Sequence, residues 1–186
     1  MADRGLERGM PDRADDGPGV TVRGRRVVLD PHHCFACGEL NEHGLHLVLH
    51  TDDERCWTDL ALDPRFQGWD GIAHGGIVAT ILDEVMAWAL IGRDAWGVTA
   101  RMELAFRRPV PLATPIRGEG WVLDARRRLL TTEGRITEVE TGAVLATAAA
   151  TYVAAPADQR AILRARYRFR LADDDAAPAP VQERAT

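Results

Sequence analysis

The sequence predicts an α+β domain in which a curled antiparallel β-sheet wraps around one long central α-helix. Three observations predict it. Residues 75–91 form a single apolar run of helical length, followed by Gly92 where helices commonly end. Four long segments after it alternate apolar and polar residues like half-buried strands, and shorter strand-like segments precede it. The helix is also apolar over most of its circumference, so one sheet covers only one side of it. A second copy of the chain is the simplest source of the other cover.

In chain order, residues 1–18 are charged and aperiodic and read as a disordered tail ahead of a domain at 19–155. "VTVRGRRVVL" (20–29) reads as a first strand with a glycine inside it, and "PHHCFACGELNEHG" (31–44) as turns without a period. "LHLVLH" (45–50) and "RCWTDLAL" (55–62) alternate as strands do, and residues 63–76 form a loop leading into the helix. In "GVTARMELAFRRPV" (97–110) one face carries Val98, Ala100, Met102, Leu104 and Phe106. The other carries Thr99, Arg101, Glu103 and Arg107, and Pro109 and Pro111 close the strand. Residues 115–125, 129–140 and 142–155 supply three more strands, with a hairpin turn at 139–144. From Pro156 to 186 the composition shifts, and "DQRAILRARYRFRL" suits a short basic helix before a disordered end.

A chain of 186 residues holds one domain with a real core. Its net charge of −5 argues against a nucleic-acid surface built on bulk positive charge. The basic cluster at 126–128 reads as a solvated hairpin rim. No run of about 18 apolar residues exists to span a membrane, and the N-terminus lacks the apolar core of a signal peptide. Three cysteines are too few for a disulfide scaffold of this size, so a reducing cytoplasm is the expected setting.

The helix carries two acids, Asp83 and Glu84, among Ile77, Val78, Ile81, Leu82, Val85, Met86 and Trp88. Burying an unpaired carboxylate costs several kcal/mol or forces it to protonate. Either acid could be satisfied by an arginine such as Arg101. Coupled to "HGG" at 74–76, however, the acids gain a chemical reading. A helix N-terminus offers free N–H groups and a positive dipole end, and glycines there leave room for a carbonyl to approach.

"GIAHGGIVATILDE" followed by "TARMELAFRRPVPL" resembles the hotdog-fold acyl-CoA thioesterases of the phenylacetate-pathway type, over roughly residues 33–154. The resemblance implies that the Asp nine residues after the His, here Asp83, is the catalytic carboxylate. It implies that the Gly75 N–H is the oxyanion donor and that Thr99 contributes near the start of the following strand. His74 would orient the turn or the substrate, or act as a base. Gly76 and Gln67 would line the substrate, with Gln67 one position from where a water-placing amide is expected. Arg107, Arg108 and the basic cluster at 126–128 are candidates for the phosphates of CoA. No cofactor is called for.

Asp83 is favoured over Glu84 because Ala79, Thr80, Met86 and Ala87 surround it with a small-residue stripe. Glu84 would then be a substrate-side or tuning neighbour. At about 1.5 Å per residue, the eight residues from Gly75 to Asp83 span roughly 12 Å, so one helix cannot bring both to one carbonyl. Two antiparallel copies can. The expected assembly is therefore a homodimer, or a dimer of dimers, acting on an acyl-CoA or acyl-carrier thioester. Whether Asp83 attacks directly or activates water stays open.

Two rival readings stand beside this one. A hotdog dehydratase would need a His in the loop, where Arg65 precedes Phe66, and an early helix Glu, where Ala79 or Thr80 stands. A non-catalytic acyl-CoA-binding module would gain nothing from a carboxylate beside the thioester. Finally, Cys34 and Cys37, with His32 and His33 adjoining and His43 or His46 further on, have partial zinc-ligand spacing. A packed turn is the reading preferred here, with no metal.

Overall fold

The computed structural model describes residues 19–22, 25–52, 54–93, 95–126, 128–166 and 170–171. The tail expected at 1–18, and residues 167–169 and 172–186 of the extension expected at 156–186, lie outside them. The elements run β1 (Gly19–Val22), β2 (Arg25–Val28), β3 (His50–Thr51), β4 (Arg55–Ala61), a 3₁₀ turn (Pro64–Phe66), β5 (Gln67–Trp69) and β6 (Ile72–Ala73). They continue with α1 (Gly75–Gly92), β7 (Gly97–Phe106), β8 (Pro115–Arg126), β9 (Leu129–Glu138), β10 (Val144–Ala154), α2 (Ala157–Arg166) and β11 (Arg170–Leu171).

Six strands make one antiparallel sheet in the order β3-β4-β8-β9-β10-β7, and α1 packs on it. This is the hotdog arrangement of one long helix against a curled sheet. Ile81, Leu82, Val85 and Met86 are wholly buried between helix and strands. The helix comes this close because the inner face of β8 carries Gly118 and Gly120. A Cβ at Gly120 would stand 2.7 Å from the Met86 backbone nitrogen, closer than packed atoms tolerate. Gly120→Ala is therefore expected to lower stability by about 1–3 kcal/mol, read as a lower urea midpoint at unchanged slope.

By length and composition alone α1 could cross a bilayer, contrary to the absence of any such run expected above. It is the core helix: nine of its residues, from Val78 to Gly92, are buried. Gly92 closes it for a different reason than handedness. It is the last helical residue, Arg93 is the cap, and a Cβ at Gly92 would meet the Asp52 carbonyl oxygen at 2.8 Å.

Three strand expectations are corrected. Residues 20–29 are two strands, β1 and β2, paired antiparallel with Gly19 opposite Val28, and β11 adds to β2. The segment 45–50 keeps its alternation, with Leu47 and Leu49 buried, but the ladder begins only at His50. The Leu45 and Leu47 N–H groups donate instead to the Phe35 and Ala36 carbonyls, and His46 turns through φ 49°.

The third correction concerns β7. Its apolar face is not buried as a unit: Met102 and Leu104 pack on the core, while Val98 is 72% and Phe106 57% exposed. Thr151 pairs with Arg101 but Tyr152 pairs with Thr99, so Ala100 is an extra, bulged residue. A bulge shifts the alternation by one position. Thr99 therefore turns to the inner face with Met102 and Leu104, and Val98 turns out. The hairpin at 139–144 is as expected, with Gly142 at φ 68°.

Candidate active site

Asp83 sits half-buried in the middle of α1, beside the half-buried Ala79, Thr80 and Ala87. Its Oδ1 accepts two hydroxyls: Thr99 Oγ1 at 2.9 Å and Tyr152 Oη at 3.0 Å. The Tyr152 hydroxyl also lies 3.1 Å from the Asp83 backbone carbonyl, which it shares as acceptor. No bond of the described residues uses Asp83 Oδ2. One carboxylate oxygen is thus anchored and the other is left for chemistry. Burial, followed by the negative charge of Asp83, pushes the Tyr152 hydroxyl far above the usual phenol range. It stays protonated and acts as a donor at any working pH.

Tyr152 was missed from the sequence, where it is one apolar position in an alanine-rich strand. The bulge at Ala100 was equally hidden, and it is what aims Thr99 at Asp83. Tyr152→Phe is expected to cost about 1 kcal/mol of stability through the lost hydrogen bond. It should lower kcat about tenfold, since Thr99 still holds Oδ1. Thermal unfolding and steady-state kinetics check both.

At the helix start, His74 is the N-cap and its Nδ1 accepts the Gly76 N–H at 3.0 Å. The Gly76 N–H is therefore occupied. The Gly75 N–H, at the first helical position, has no acceptor among the described residues. A Cβ at Gly75 would meet the Phe106 ring at 3.1 Å, so the glycine opens space beside that ring. Nδ1 as acceptor leaves the proton of a neutral His74 on Nε2. His74 orients the turn.

Other sequence candidates fall elsewhere. The Gln67 side-chain oxygen accepts the Gly71 N–H at 3.0 Å and closes the β5–β6 turn. Arg107 and Arg108 are exposed just past β7, anchored by their N–H groups to the Leu145 carbonyl. Arg101 is exposed and pairs with Glu103, so it satisfies neither helix acid. Arg65 lies over the Phe66 ring and donates to the Gly44 carbonyl.

Glu84 turns away from Asp83 into the segment 31–44. Trp88 Nε1 donates to its Oε1 at 2.9 Å, and Cys37 bonds the same carboxyl. Burial, then the charge of Cys34, pushes the Glu84 carboxyl up to about 7 against those two bonds.

Residues 70–155, which span α1, β7, β8, β9 and β10, match the family model described as the thioesterase superfamily. Over these residues, less than half of its length, the chain is similar to that superfamily. Among solved structures, a thioesterase superfamily protein is 29% identical with a TM-score of 0.62, the match covering 65% of this chain. It spans 60% of that chain's length. Mouse thioesterase superfamily member 2 is 22% identical with a TM-score of 0.55, covering 59% of this chain and 83% of its own. A hypothetical thioesterase protein from Streptococcus pneumoniae, solved with coenzyme A, is 20% identical with a TM-score of 0.52, covering 54% and 81%. At those identities the last two speak for the fold. No curated protein matches the sequence.

Proposed function

We propose that the protein hydrolyses an acyl-CoA or related acyl thioester to the free acid and thiol, in the manner of the phenylacetate-pathway type of thioesterase. Asp83 is the nucleophile or general base. The observation that carries the reading is its carboxylate, held by Thr99 and Tyr152 through Oδ1 with Oδ2 free. A positioned carboxylate of this kind can attack a thioester carbonyl or draw a proton from water. The thioester oxygen, as it becomes an oxyanion, needs preorganised donors, and the unused Gly75 N–H at a helix N-terminus suits that role.

Gly75 and Asp83 lie roughly 12 Å apart along one continuous helix, which favours a site formed between two chains. The exposed Val98 and Phe106 of the edge strand β7 supply an apolar surface for such a homodimer. A coenzyme A complex of the pneumococcal protein supports a CoA-type substrate. Structures of that protein also include single Asp-to-Ala and Thr-to-Ala variants, with the replaced residues spaced as Asp83 and Thr99 are here.

The test is release of free CoA from a panel of aliphatic and aromatic acyl-CoAs by the wild-type protein. Turnover of at least one supports hydrolysis. Saturable binding with no turnover across the panel would overturn it in favour of a binding module.

A further inference from the structure

The segment 31–44 is folded over the middle of α1 and brings together three side chains that the proposed hydrolysis does not use. The sulfurs of Cys34 and Cys37 and a carboxylate oxygen of Glu84 all lie within 4.8 Å of one another. We propose that Cys34, Cys37 and Glu84 hold a divalent transition-metal ion of the zinc class.

The turn is built to present the two sulfurs on one side. The Gly38 N–H donates to the Cys34 carbonyl at 2.9 Å, and a Cβ at Gly38 would stand 2.4 Å from the Cys34 nitrogen and the His32 carbonyl oxygen. Only glycine closes so tight a loop right after the second cysteine. The Cys37 thiol lies within hydrogen-bond reach of both the Cys34 sulfur and the Glu84 carboxyl, and the backbone N–H groups of Cys37 and Ala36 lie near that sulfur. Donors aimed at a sulfur favour thiolate, the form that ligates metal.

The third group comes from a different element. Glu84 is carried by the rigid core helix, so the cluster joins a loop to α1 as a cross-link does. All three groups are acids, and none of the ion pairs among the described residues gives Glu84 an Arg or Lys. A divalent ion replaces the protons that remain on the trio and supplies the missing positive charge.

Donor chemistry selects the ion. Two thiolates and a carboxylate suit zinc or cobalt and disfavour magnesium or calcium, which take oxygen ligands. With bonds of about 2.3 Å to sulfur and about 2.0–2.2 Å to oxygen, tetrahedral donors lie roughly 3.5–3.8 Å apart, a short closure from the present spacing. Three protein ligands leave one position open. The histidines that the sequence suggested as a second ligand pair, His43 and His46, are exposed and outside the cluster.

The experiment is a Co²⁺ titration of the full-length, metal-stripped protein under reductant. The expected result is one ion per chain, with a thiolate-to-cobalt charge-transfer band in the near ultraviolet that Zn²⁺ removes. Cys34→Ser should abolish the band. Glu84→Gln, which keeps the shape and the acceptor for Trp88, should weaken Co²⁺ binding tenfold or more. His43→Ala and His46→Ala should bind as wild type does. If Cys34→Ser does not fold, Glu84→Gln carries the test. No band in the reduced wild type, or unchanged affinity in Glu84→Gln, overturns the site.

Discussion

Asp83→Asn is expected to lower kcat for acyl-CoA hydrolysis by about 10²-fold or more while leaving the fold intact. The substitution is chosen for what it preserves. An asparagine side-chain oxygen in the place of Oδ1 still accepts from Thr99 and Tyr152, so the anchoring bonds at 2.9 and 3.0 Å survive. The second position changes from a free anionic oxygen to an NH₂ group, which neither attacks a carbonyl nor accepts a proton from water. Turnover falls, whereas KM changes little if the carboxylate acts mainly in the transition state. Steady-state kinetics on the best substrate of the panel, with thermal unfolding as the fold control, read the effect. Turnover equal to wild type would remove Asp83 from the reaction.

The contrast between that site and its sequence is instructive. The helix was legible because an apolar run of its length with a histidine-glycine-glycine start has few alternatives. The four long strands after it were legible because their alternation is regular. Asp83 stood out because an acid on such a helix has to be held by something. What holds it was not legible. Tyr152 contributes only a hydroxyl at the end of an apolar ring, and simple alternation puts Thr99 on the outer face of β7. A single bulged residue, Ala100, reverses that alternation, and period-two counting cannot detect an extra residue. Glu84 shows the same limit from another side. Its cysteine neighbours lie about fifty positions earlier in the chain, in a segment with no period, so only the folded chain brings them together.

Gly75→Pro is the second large effect expected, and it tests the shared site directly. Gly75 is the first residue of α1, the one helical position where proline is favoured because its missing N–H has no helical partner. The preceding residue, His74, sits at φ −62° and ψ 135°, the extended region that a residue before proline prefers. The ring meets Phe106, which is largely exposed and free to shift. The helix should therefore form, without the one N–H that the proposed oxyanion needs. Loss of such a donor lowers kcat by about 10²–10³-fold. Mixing then separates two geometries. If Asp83 and the Gly75 N–H served one carbonyl within a single chain, mixed Asp83→Asn and Gly75→Pro proteins would stay inactive. If the site is formed between chains, each mixed dimer holds one site with both groups intact. Random exchange of equal amounts then restores about a quarter of wild-type activity, because half the dimers are mixed and each has one working site of two. Refolding the two variants together from denaturant and measuring kcat on the same substrate decides between them.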